Sequence, residues 1–247
     1  MCFGDDARPP LPPVRGGAVD SDDIVLTSAD GTDFSAFYAH PDSPSETGVI
    51  VLPDVRGLHA FYKELAQRFA EAGVHALAID YFGRTAGVGP RDAEFGFREH
   101  VDQMDYDNTT LDVGAAAGWL RILPGASVTS VFTVGFCLGG ALSWRQSAGE
   151  HGLAGCMGFY GRPDRAADGI GAMTAPLLLL AAGQDRTPVA DVEAFAEAVR
   201  AAGVEAEVHV YPDAVHSFFD HKQAEYQEDR DDAWRRMLDF MARNRAV

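Results

Sequence analysis

Apolar positions fall into two kinds of pattern along the chain: short strand-like runs and longer segments with helical spacing. Ile24–Thr27 and Phe34–Ala39 alternate as strands do, with Asp30-Gly31 as a turn between them, and predict an antiparallel hairpin. From residue 48 the pattern changes. Gly48–Leu52 (GVIVL) is continuously apolar, as a strand covered on both faces should be. Phe61–Ala72 places Leu65, Phe69 and Ala72 at spacings of four and three and stops at Gly73, which predicts a helix. Val74–Ile79, Val131–Val134, Leu153–Phe159, Pro176–Ala182 and Glu205–Tyr211 read as further strands. Residues 91–105 are mixed and read as helical. Leu111–Ile122, Leu138–Ala148, Val189–Ala202 and Asp231–Arg245 read as helices, the first stopped by Pro124-Gly125.

Strands alternating with helices require right-handed crossovers and a mostly parallel sheet. The expected class is α/β: a twisted, mostly parallel sheet of about seven or eight strands with helices on both faces. No internal repeat is visible, so residues 21–247 read as one domain. Residues 1–20 form a Pro-rich N-terminal arm containing PPLPP. Its apolar Phe3, Leu11 and Val14 leave it equally readable as a docked arm or a free tail.

Composition narrows the class of partner. The 247 residues are 47% apolar, enough for one large core, and carry a formal charge of −17. Such a chain lacks the basic face that nucleic acid needs. No run approaches the length of a membrane span, and MCFGDDARPP has acids where a secretory signal needs cations. A cytoplasmic location without membrane contact is therefore expected, as a monomer or homodimer. The three cysteines (Cys2, Cys137, Cys156) make no CxxC pair and no metal-ligand spacing. Neither a disulfide framework, nor a metal, nor another cofactor is expected.

The chemistry centres on Gly135-Phe136-Cys137-Leu138-Gly139-Gly140, between a strand and a helix. That is the context of the G-x-S-x-G nucleophile elbow, with Cys in place of Ser. The elbow strains the nucleophile's backbone, so neighbours without Cβ are needed on both sides. It also sets the N-terminus of the next helix under the reacting atom, making the Leu138 N–H one oxyanion donor. A buried structural cysteine is the alternative reading of the motif alone. A free thiol is only about 3% ionised at pH 7, so a nucleophile needs a base. The elbow fold orders its partners as nucleophile, acid, histidine. Asp185 follows the strand PLLLLAA, and His216 follows the strand ending at Tyr211. Both belong at the C-terminal sheet edge, where ligands bind. His216 would take the thiol proton and Asp185 would fix its tautomer. Asp185 is also readable as a cap of the following helix. Among the other histidines, His59 stands close to the Leu52–Gly57 loop.

With GFCLGG, the AAGQD loop and the HSF segment in place, the chain resembles the dienelactone hydrolase family of α/β-hydrolases, from about residue 23 onward. The resemblance implies cleavage of a small-molecule ester or lactone through an acyl-thiol intermediate. It implies that Asp54, where the family usually has Glu, pairs with the resting thiol, and that the Val55 N–H is the second oxyanion donor. It implies that Arg84 holds a substrate carboxylate and that Tyr160 lines the pocket. A surface salt bridge is the other role open to Arg84, and packing the other for Tyr160. One position departs from the pattern. Dienelactone-cleaving members carry a second arginine just after the HSF segment, where this chain has Asp220. A carboxylate there repels an anionic substrate. A small-molecule binder that keeps the fold without catalysis is the competing reading.

Overall fold

The computed structural model describes residues 3–13 and 20–246. Eight strands form one sheet: β1 (Asp20–Thr27), β2 (Asp33–His40), β3 (Thr47–Leu52), β4 (His75–Ile79), β5 (Ser130–Phe136), β6 (Gly155–Phe159), β7 (Leu177–Gln184) and β8 (Ala206–Val215). Their order is β1-β2-β4-β3-β5-β6-β7-β8. The β1–β2 hairpin and the β2–β4 pair are antiparallel, and every other pair is parallel.

Helices cover both faces. On one side lie α1 (Ala60–Glu71) and α7 (Gln227–Asn244), whose Phe61, Leu65, Phe69, Trp234 and Met237 pack on Val49, Val51, Phe132 and Val134. On the other lie α4 (Tyr106–Arg121), α5 (Leu138–Arg145) and α6 (Val189–Ala201). There Val113 and Leu120 meet Ile50 and Leu77, while Phe195 and Val199 belong to the cluster around Leu177 and Leu179. Both faces of the central strands are thus dry, which is why their sequences are continuous rather than alternating. Each such side chain contributes roughly 1.5–3 kcal/mol by burial.

β1 and α7 each begin four residues earlier than expected, and three further elements differ. Only α3 (Phe97–Val101) forms a helix within 91–105, preceded by a single turn, α2 (Gly83–Ala86). Arg91 is drawn inward, donating to the Asp80 carboxylate at 2.9 and 3.0 Å, and the chain around it follows that pair rather than a helix. Asp80 also accepts from the Leu58 and Phe82 N–H groups. Second, α4 starts at Tyr106, capped by Asp105, which accepts from the Asp107 N–H at 2.9 Å. Third, β8 runs past Pro212 to Val215. A proline is tolerated there because β8 is an edge strand.

The arm is docked over its described part. Phe3 is 1% exposed and stacks on Phe61 with ring centres 3.8 Å apart. Pro10 accepts from the Trp234 indole N–H at 3.1 Å. Cys2 and Val14 lie outside the described residues.

Candidate active site

Strand register assembles the site. Gln184 pairs with Val215, so the next residue of each strand, Asp185 and His216, emerge side by side. The Asp185 Oδ2 lies 2.8 Å from His216 Nδ1. Phe136 pairs with Phe159, so Cys137 and Tyr160 follow on adjacent strands, and the Cys137 N–H donates to Phe159 at 3.1 Å. Cys137 caps α5 with φ 57° and ψ −111°, a left-handed backbone that a non-glycine residue adopts only when its surroundings enforce it. The enforcing contacts are tight. A Cβ on Gly135 would come within 1.8 Å of the Gly139 carbonyl oxygen. One on Gly139 would meet the carbonyl oxygens of Leu52 and Pro53 at 2.1 and 2.2 Å. The first turn of α5 is therefore pressed directly against the end of β3.

His216 joins the elbow to the acid. Burial disfavours its charged form, but hydrogen bonds to Asp185 and to Cys137, with the negative charge of both, outweigh it and raise its pKa to about 9. The imidazole is thus held toward imidazolium between the acid and the elbow cysteine. Tyr160, itself at φ 37°, packs its ring 4.6 Å from that of His216. The other described cysteine, Cys156, is buried, and its thiol is pushed up to about 12 by loss of hydration, so it is inert.

Cys137, Asp185, His216, Leu138, Val55 and Tyr160 line one cavity of about 880 Å³. As the first residue of α5, Leu138 has an N–H without an intrahelical acceptor. Two expected residues are elsewhere. Arg84 does not line this cavity. Its guanidinium donates to both oxygens of buried Asp112 at 2.9 Å and to Asp30 at 3.0 Å. Asp112 needs that cation, because burial pushes its carboxyl pKa up despite Arg84 and Ser28. Asp54, expected beside the thiol, is held by the arm and by its own turn. Asp54 is fully buried, and its oxygens accept from the N–H groups of Phe3 at 3.2 Å and Arg56 at 2.8 Å, with His59 Nε2 at 3.6 Å. Asp is one methylene shorter than Glu, and the arm supplies the donor that occupies it.

Sequence reasoning missed the cavity's cations, Arg162, Arg165 and Arg186. A signal was present: Arg162 and Arg186 closely follow the ends of β6 and β7, on the same edge as Tyr160 and Asp185. Arg162 is paired with Asp164. Among the described residues, Arg165 and Arg186 carry no carboxylate partner; Arg165 lies 6.0 Å over the Tyr106 ring. No cluster of three or more His, Cys, Asp or Glu able to hold a metal occurs among the described residues. No helix among them is long and apolar enough to cross a membrane.

A mostly parallel eight-stranded sheet with an elbow after β5, an acid after β7 and a histidine after β8 is the α/β-hydrolase fold. Residues 34–244 match the profile of the dienelactone hydrolase family, and the chain belongs to that family. A Salmonella typhi protein named "Putative carboxymethylenebutenolidase" is 29% identical over 254 residues, covering 96% of this chain and 93% of that one. The crystal structure of a "Putative Dienelactone Hydrolase" from Klebsiella pneumoniae superposes with a TM-score of 0.79 at 27% identity, covering 92% of this chain and 99% of that one. A dienelactone hydrolase-like promiscuous phosphotriesterase from metagenomic libraries shares the fold, with a TM-score of 0.76 at 23% identity over 92% of this chain and 99% of that one.

Proposed function

We propose that this hydrolase cleaves a carboxylic ester or lactone through an acyl-thiol on Cys137. The observation that carries the reading is the line from Asp185 through His216 to the elbow cysteine. The Cys137 thiolate adds to the substrate carbonyl carbon, and the C=O electron pair moves onto oxygen. The Leu138 and Val55 N–H groups hold that oxyanion. Collapse re-forms the carbonyl and expels the alkoxide, which takes the His216 proton; in a lactone it stays attached to the acyl group. His216, neutral again, removes a proton from water as the water adds to the thioester. The second tetrahedral oxyanion expels the thiolate and leaves the carboxylic acid, and Asp185 holds the imidazole ring throughout.

Mass spectrometry after brief exposure to an aryl acetate tests this. We expect one acetyl group, on Cys137. Acylation of a different residue, or none in a protein that turns the ester over, would move the nucleophile; a protein that only binds would carry no adduct and release no phenol.

The unpaired cavity arginines favour an anionic substrate, a role for which Arg84 is not placed. An exposed charge pair is worth about 1 kcal/mol, so Arg186→Ala should raise KM about fivefold for an aryl ester bearing a carboxylate. A matched neutral ester should change less than twofold. Equal shifts for both esters would remove Arg186 from substrate recognition.

A further inference from the structure

We propose that the N-terminal arm is a clamp on the oxyanion turn, anchored at Asp220. The inference rests on the hydrolase reading and concerns how the Val55 N–H is held.

The turn from Asp54 to Gly57 follows β3, and its two residues flanking Val55 are both bonded to the backbone of Phe3. Asp54 accepts from the Phe3 N–H at 3.2 Å, and Arg56 Nη1 donates to the Phe3 carbonyl at 3.0 Å. Asp54 and Arg56 are also tied to each other, through the Arg56 N–H. Arg56 also makes an ion pair with Asp5 of the arm. Val55 thus sits between two residues fixed by one residue of the arm, while the preceding Leu52-Pro53 backbone abuts the first turn of α5. A donor serves an oxyanion only when it is aimed before the reaction, and a shift of about 1 Å costs up to about 10²-fold in rate.

The anchor explains the departure at position 220. Asp220 Oδ1 accepts from the Arg8 N–H at 3.1 Å, and the Arg8 carbonyl accepts from the His221 N–H at 2.7 Å. At the position where the resemblance implies a substrate-binding arginine, Asp220 fastens the arm. Lys222 adds an ion pair with Asp6 at 2.9 Å.

The test compares two reactions of Cys137. Ester hydrolysis builds an oxyanion. Alkylation by iodoacetamide is displacement at a saturated carbon with loss of iodide, and builds none. Deleting residues 2–12 should lower kcat for an aryl acetate tenfold or more, with KM and the alkylation rate each within twofold of wild type. Asp220→Ala, at a partly exposed site that leaves the core intact, should show the same pattern with a smaller loss. Asp220→Asn, which keeps the accepting oxygen, should restore kcat to within twofold of wild type. The clamp is overturned if kcat survives the deletion, if alkylation falls in parallel with kcat, or if only KM moves, which would make the arm a cover over the pocket. Equal turnover by wild type and Cys137→Ala would sink the hydrolase reading itself, and the clamp with it; that outcome is distinct from an active wild type indifferent to its arm.

Discussion

Cys137→Ala is expected to lower kcat/KM for an aryl acetate by about 10⁴-fold or more and to abolish the burst of released phenol. The size follows from what is lost. Without the thiol no covalent intermediate forms, and His216 has only water to activate. The oxyanion donors remain and account for residual turnover. Stability should change little, because the side chain is only partly buried and both residues bear the same positive φ. A second signal accompanies the loss of rate. Two hydrogen bonds, accepted by Asp185 and by Cys137, together with the negative charge of both, raise the His216 pKa to about 9 against its burial. With the second gone, the imidazole should titrate at lower pH, readable in its NMR shifts. Turnover at the wild-type level in the variant would refute the thiol mechanism, and an unmoved His216 titration would refute its pairing with Cys137.

Arg91→Leu is expected to cost about 3–5 kcal/mol of stability. Arg91 is 4% exposed in its side chain and Asp80 0%, so the substitution strands a carboxylate with no cation and no water. The two N–H donors from Leu58 and Phe82 soften the loss without replacing the charge. For a chain of this length the melting temperature should fall by roughly 10 °C. Asp80→Asn in the same background should recover part of it, because a neutral amide needs no counter-ion. A melting temperature unchanged by Arg91→Leu would show that the pair is not closed to water.

Much of this architecture was legible in the sequence because its cause is local. GVIVL and PLLLLAA read as strands with two dry faces, as they are, and the elbow glycines are dictated by carbonyls that leave no room for a Cβ. The order of Cys137, Asp185 and His216 carries over into space because consecutive parallel strands deliver their ends to one edge. What escaped was set by distant partners. Arg84 fits a sequence pattern, but Asp112, more than a helix away in sequence, holds it. Asp54 fits a family pattern, but the N–H that it accepts from Phe3 comes from 51 positions away. The arm has no periodicity, and its docking depends on Phe61, Trp234 and Asp220, which nothing in residues 3–13 announces. The start of α4 was missed for a different reason: its apolar spacing begins at Leu111, whereas its cap, Asp105, is polar.

The bond between Arg8 and Asp220 spans 212 positions, and that between Pro10 and Trp234 spans 224. A chain is made from its N-terminal side. The arm therefore leaves the ribosome long before these two anchors exist, and the sheet from β1 to β8 is synthesised before they can fasten it. Contacts so distant in sequence are also slow to form. A chain interrupted before Asp220 would carry the elbow, the acid and the histidine, yet lack the anchor that fastens the arm.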